Sequence, residues 1–193
     1  MAKGLLIFVS GPSGVGKSTV CRRLAAVLPA EFAVSATTRQ EKAQDAVAKK
    51  YLFVEEGEFQ EMLEAGAFLE YANVFGHWYG TLRKPVEEAL TAGRIVLLEI
   101  DVQGAIQVHK LFPGALGVFI LPPSEQDLLK RLTDRGRDDQ ASIHRRFTEA
   151  QQEIATAKSC GIYDLMVVNE DNGVERAVVT IQKAAEDIRG GKN

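Results

Sequence analysis

Residues 11–19 read Gly-Pro-Ser-Gly-Val-Gly-Lys-Ser-Thr, directly after the apolar run Leu5-Leu6-Ile7-Phe8-Val9. The pattern G-x-x-x-x-G-K-[ST] between a buried-type strand and a helix-like stretch is a phosphate-binding loop. Its chemistry follows from residue type. Gly11, Gly14 and Gly16 let the backbone curl so that the N–H groups of Ser13, Gly14, Val15, Gly16, Lys17, Ser18 and Thr19 can converge on phosphate oxygens. The following helix adds the positive end of its dipole. Lys17 supplies a mobile cation for the outer phosphates, and the Ser18 hydroxyl can ligate Mg²⁺. The loop specifies a nucleoside triphosphate but not the fate of its phosphate.

Other residues bear on that fate. Arg131, Arg135, Arg137, Arg145 and Arg146 crowd one segment, and the first two are spaced to share a helical face. They fit either a solvated charged helix or a lid closing on phosphates, and the polar, glycine-containing stretch between them favours the lid. Glu99 and Asp101 lie two apart at the end of a second apolar strand, on one face, where α/β sheets bind ligands. Asp101 can equally cap a helix starting at Val102, which leaves Glu99 as the stronger functional candidate. Ser35, Thr37, Thr38 and Arg39 form a hydroxyl-rich strand end with a cation, while Glu70, Tyr71, Trp78, Tyr79 and Thr81 make a polar and aromatic group. Trp78 reads as core. His77, His109 and His144 share no metal-ligand spacing.

The elements that must position these residues can be read from periodicity. Short apolar runs at 5–9, 95–100, 116–121 and 165–168 predict buried parallel strands. Helical patterns occupy 18–28, 84–92, 102–111, 125–134, about 141–158, and 174–188, with Ser124 and Asp127 spaced as a near capping box. Strand–helix alternation predicts an α/β fold, a parallel sheet flanked by helices with right-handed crossovers. Residues 33–82 break the alternation. Strand-like stretches at 33–38, 51–54 and 68–75 and a helix at 58–65 predict a small mixed β insertion, with 39–50 as a loop.

A chain of 193 residues can bury one sizeable core. A net charge of −3 gives no global signal for nucleic acid or an anionic membrane. Cys21 and Cys160 form neither a metal pattern nor a disulfide framework, and Cys21 reads as a small buried residue. There is no signal-peptide pattern and no apolar run near the roughly 18 residues of a membrane span. A cytoplasmic setting is expected; the oligomeric state is not readable.

Taken together, the chain resembles guanylate kinases, especially bacterial ones, over nearly its whole length. The resemblance rests on the phosphate loop, Val-Ser-Ala-Thr-Thr-Arg ending at Arg39, and Tyr-Leu-Phe-Val from Tyr51. It continues through Phe-Leu-Glu-Tyr-Ala around Glu70, Gly-His-Trp-Tyr-Gly-Thr from Gly76 and Leu-Glu-Ile-Asp-Val-Gln-Gly from Leu98. It closes with Arg-Leu-Thr-Asp-Arg-Gly from Arg131 and Val-Val-Asn-Glu-Asp from Val167. It implies phosphorylation of GMP and dGMP by ATP with Mg²⁺. It also implies a P-loop core (residues 1–32, 83–125 and 159–193), a GMP-binding part (33–82) and a helical lid (126–158). By resemblance, Arg39, Tyr51 and Tyr79 hold the GMP phosphate, and Ser35, Glu70, Thr81 and Asp101 read guanine. Glu99 lies near Mg²⁺, through water, and the phosphates. Lys17, Arg39, Arg131, Arg135 and Arg146 stabilise the transferring group, and Asn169 lies near the ATP adenine. Two alternatives remain at this stage: a related kinase of another phosphate acceptor, and a non-catalytic binding module.

The chain departs from the family after Arg39, where Pro, Arg and Gly-Glu are usual. Here it reads Gln40-Glu41-Lys42-Ala43-Gln44-Asp45, without the usual glycines. Lys42 stands where a second phosphate-binding arginine is expected, keeping the charge but losing the bidentate fork. Lys42→Arg is therefore expected to lower KM for GMP, and an unchanged KM in steady-state kinetics would show that the phosphate is held elsewhere.

Overall fold

The structure, a computed structural model, describes residues 3–41, 51–74, 76–134, 140–171 and 173–191. Its larger sheet is parallel, in the order β2-β7-β1-β8-β9. These strands are β1 (Leu5–Ser10), β2 (Ala30–Phe32), β7 (Ile95–Glu99), β8 (Leu116–Leu121) and β9 (Leu165–Val168). Helices α1 (Lys17–Val27) and α7 (Val174–Arg189) pack together and cover one face. The other face is covered by α3 (Arg83–Thr91) and α4 (Val102–Leu111). The central strand β1 is buried throughout, as its continuous apolar run requires. Each face carries its own core cluster: Ile7, Leu24, Leu97 and Ile181 on one side, and Leu6, Phe8, Leu98 and Val108 on the other. Cys21 is fully buried in the first of these, as expected.

The inserted block forms a second, four-stranded sheet in the order β4-β3-β6-β5. It comprises β3 (Ser35–Thr37), β4 (Tyr51–Phe53), β5 (Phe68–Val74) and β6 (His77–Leu82), backed by α2 (Glu56–Glu64). Its core is small, with Ala36, Val54, Phe59 and Phe68 buried and Trp78 packed against them. Gln107 of α4 ties this sheet to the larger one: its side-chain amide donates to Tyr71 O at 2.8 Å and accepts from Tyr71 N at 3.2 Å. The side chain thus pairs with β5 as a neighbouring strand would.

Two strands were not foreseen. β2 is a three-residue edge strand, too short to show alternation. β6 reads His-Trp-Tyr-Gly-Thr-Leu, where polar residues and Gly80 hide the pattern. Gly80 is required there, because a Cβ would sit 2.7 Å from the Phe68 ring. The predicted helices and the four long strands are present, with ends shifted by one or two residues. Helices α5 (Glu125–Asp134) and α6 (Gln140–Ser159) flank residues 135–139, which lie outside the described part. Half of the near capping box forms, with Asp127 N donating to Ser124 Oγ at 3.1 Å, while the Asp127 carboxylate turns to the same hydroxyl, which donates to its Oδ2 at 2.6 Å. Among the described residues no helix is long and apolar enough to cross a membrane.

Phe59 holds the small core, with ring centroids 4.5 Å from Phe68 and 5.9 Å from the sole tryptophan, Trp78. Phe59→Ala is expected to destabilise this part by about 3–5 kcal/mol. Denaturation followed by Trp78 fluorescence should show that loss before far-ultraviolet dichroism reports loss of the larger sheet.

Candidate functional site

Residues 11–16 curl at the carboxyl end of β1, where positive φ angles of 150°, 87° and 96° at Gly11, Gly14 and Gly16 account for the three glycines. At Gly16 the space is closed as well, since a Cβ would lie 2.5 Å from Asn169 Nδ2. Asn169 is buried, and its Nδ2 donates to Val15 O at 2.8 Å. Its Oδ1 is buried without a hydrogen-bond partner among the described residues. Arg131 of α5 braces the same corner. Its guanidinium donates to Asn169 O at 2.9 Å and Val15 O at 3.4 Å, and pairs with Asp171 at 2.9 Å. Lys17 Nζ rests on the carbonyls of Gly11 and Pro12, the latter at 3.1 Å.

Ser18, the first-turn hydroxyl of α1, donates to Glu99 Oε1 at the end of β7. Two residues on, just past the end of the strand, Asp101 is the N-cap of α4 and accepts from Gly104 N at 2.7 Å. The capping role read from sequence is therefore real, and it fixes the side chain at the cleft. Burial raises the Asp101 carboxyl above its usual range.

Opposite stands one transverse row of the small sheet. Strand register pairs Tyr51 with Ser35, Ser35 with Thr81, and Thr81 with Glu70. Directly opposed residues share a face, so all four point into the same cleft. The next row on that face carries Thr37 and Tyr79. Arg39 follows from β3 and lies with its guanidinium carbon 5.5 Å from the Tyr51 ring, itself 6.2 Å from the Tyr79 ring. Arg146 of α6 lines a second cavity together with Arg39 and Tyr79.

Glu70 is the buried charge of the row, 5% exposed. Its Oε1 accepts from both Thr81 N, at 3.1 Å, and Thr81 Oγ1. Burial outweighs those hydrogen bonds and pushes its pKa up to about 7, with the neighbouring Asp101 charge adding to the rise. The other oxygen lies so close to α4 that a Cβ on Gly104 would collide with it and sit 3.0 Å from Glu70 Cδ. Gly104 is a site residue that sequence reasoning missed. Its only local signal is a glycine inside the first turn of a helix, where it costs helix stability without a packing reason.

One cavity of about 400 Å³ joins these groups, lined by Gly11, Ser13 and Lys17 on one wall and Ser35, Tyr51, Glu70 and Tyr79 on the other. Glu99 and Asp101 form its floor, and Glu153 of α6, also missed from sequence, reaches into it. Lys42 and Arg135, both expected at the site, lie outside the described residues.

A phosphate-binding loop motif facing a row of polar side chains across one cavity has counterparts among known proteins. A family model for guanylate kinase matches residues 3–188. The chain belongs to the guanylate kinase family. It is 43% identical to the guanylate kinase of Carboxydothermus hydrogenoformans over 95% of this chain and 91% of that one. It is 42% identical to that of Caldanaerobacter subterraneus, over 99% and 92% respectively. The crystal structure of guanylate kinase from Anaplasma phagocytophilum superposes with a TM-score of 0.75 at 30% identity, covering 97% of this chain and 87% of that one. The two-sheet α/β architecture expected of the family is the one observed.

A raised carboxyl pKa in the folded chain means that ionised Glu70 opposes folding above pH 7, and that the opposition vanishes below the unfolded value of 4.5. Glu70→Gln should therefore raise stability at pH 8 by on the order of 2 kcal/mol and change little at pH 5. Thermal unfolding at the two pH values checks this, and an equal shift at both would contradict it.

Proposed function

We propose that this protein transfers the γ-phosphoryl group of ATP in line to a phosphate oxygen of GMP or dGMP, giving ADP and GDP or dGDP. The observation carrying this reading is the register row Tyr51–Ser35–Thr81–Glu70, set across one cavity from Lys17. Guanine presents N1–H and N2–H₂ as adjacent donors, and the Glu70 carboxylate can accept from both. Adenine offers no such pair, so AMP would leave a buried carboxylate unsatisfied. Ser35 and Thr81, their hydroxyls 3.4 Å apart, and Asp101 complete the base-reading group. Arg39, Tyr51 and Tyr79 receive the acceptor phosphate, with Arg146 adjacent and Lys42 within reach in sequence.

On the donor side, the backbone of residues 13–19 cradles the triphosphate, and Lys17 exchanges its loop carbonyls for β- and γ-phosphate oxygens. The acceptor is already an anion, so no general base is required. Attack forms the new P–O bond as the bond to the β–γ bridging oxygen breaks, and the electron pair leaves with ADP. Arg131, Arg135 and Arg146 offset the charge on the transferring group. The hard oxygen donors of Ser18 and Glu99, joined by their hydrogen bond, fit a Mg²⁺ ion that keeps most of its waters. Mg²⁺ bound there would neutralise charge on the phosphate oxygens. Residues 33–82 act as the acceptor unit and 126–158 as a lid that excludes water, which would otherwise hydrolyse ATP. The reading carries a cytoplasmic setting and free nucleotides as partners.

A coupled assay of ADP formation tests the reading against a kinase of another acceptor and against a binding module. GMP and dGMP should be turned over, AMP, UMP and ribose phosphates barely, and no turnover of GMP would sink it. Lys17→Ala should cost about 10²-fold or more in kcat. Gly104→Ala, by displacing Glu70, should raise KM for GMP at least about tenfold while KM for ATP stays within about twofold.

A further inference from the structure

Glu153 has no part in the transfer just described, yet it is built into the cleft. Helix α6 is anchored by Ala150, buried against Leu128 and Leu132, and by Ala157, buried against Val102 and Phe119. Those anchors are two helical turns apart, and Glu153 lies between them on the same side. Its position is therefore set by packing at both ends rather than by a mobile surface turn. The side chain lines the 400 Å³ cavity with Lys17, Glu70 and Asp101, and also a connecting cavity of about 290 Å³ with Val74 and Asp101. Its Oε2 is buried and has no hydrogen-bond partner among the described residues. Burial pushes its pKa up to about 7, Lys17 opposing the rise and the charges of Asp101 and Glu149 adding to it.

An acceptor oxygen buried without a partner is costly unless a ligand supplies a donor. Among the parts of a nucleoside monophosphate, phosphate oxygens repel a carboxylate, and the guanine N–H groups face Glu70 and Asp101. The sugar hydroxyls are the donors left over. The ribose must also span this cavity, because it connects the base at Ser35, Glu70 and Asp101 to the phosphate at Tyr51 and Tyr79.

We propose that Glu153 is a specificity-determining contact to the ribose of the acceptor nucleotide, its Oε2 accepting a hydrogen bond from a sugar hydroxyl. The proposal rests on the GMP reading above. It makes α6 a second reader of the acceptor: Arg146, two turns before Glu153, lines the phosphate-side cavity, and Glu153 meets the sugar. Seating the ribose then fixes the helix that carries the arginine.

The test is a cycle of KM, kcat and calorimetric Kd for GMP, 2′-deoxy-GMP, 3′-deoxy-GMP and 2′,3′-dideoxy-GMP, on wild type, Glu153→Ala and Glu153→Gln. Wild type should bind the dideoxy nucleotide about tenfold more weakly than GMP, about 1.4 kcal/mol, with kcat little changed. Glu153→Ala should weaken GMP by the same factor and leave the dideoxy nucleotide unaffected. Glu153→Gln, which keeps an acceptor oxygen, should stay near wild type. The monodeoxy nucleotide that shows the loss identifies the hydroxyl. Glu153→Met, similar in length without an acceptor, replaces the alanine variant if that one unfolds. An equal loss for GMP and dideoxy-GMP, or a loss that is recovered by raising Mg²⁺, would overturn the proposal while leaving GMP as substrate. Failure of wild type to use GMP would overturn the acceptor reading and this proposal with it.

Discussion

A carboxylate taken out of water must either find donors or pick up a proton. Glu70 sits at that balance. Thr81 supplies two donors to one oxygen, burial removes water from both, and the side chain is left with a pKa near neutrality. Much of the surrounding architecture follows from keeping it there. The register of β5, β6, β3 and β4 puts Thr81, Ser35 and Tyr51 in line with it. Gly104 clears room at the start of α4, and Gln107, one turn later on α4, ties β5 to the larger sheet through Tyr71. In the proposed reading, a base with two adjacent donors completes what the protein leaves unfinished.

The donor side follows a different logic. Its charges are the loop's own N–H groups and Lys17, and what fixes them is backbone geometry rather than burial. Asn169 and Arg131 both grip Val15 O, so the loop is braced from β9 and from α5. Ser18 meets Glu99 at the edge of the same loop. The two halves of the cleft are thus set by two sheets that share α4 as their common support, and phosphoryl transfer depends on holding them in line.

Legibility in the sequence followed the range of the interactions. The phosphate loop was readable because its glycines, lysine and hydroxyl lie within nine consecutive residues and the strand before it is apolar throughout. The capping role of Asp101 was local too. β6 was hidden because its outward positions are polar and its glycine answers to Phe68, twelve residues earlier. The contact between Ser18 and Glu99 spans 81 residues, and no spacing within either segment announces it. Glu153 looked like one more charge in Gln-Gln-Glu, and only the buried alanines on either side mark that face of the helix as packed. The altered stretch after Arg39 was visible at once as a departure, because the resemblance on both sides of it is close.

The central claim is that guanine binds to the ionised form of a carboxylate that burial keeps partly protonated without it. Calorimetry of GMP binding at pH 7, in buffers of different ionisation enthalpy, measures the protons exchanged. Binding to wild type should release more protons, by a fraction of one per site, than binding to Glu70→Gln, the comparison cancelling the titration of the nucleotide's own phosphate. An identical proton count for the two proteins would contradict the account.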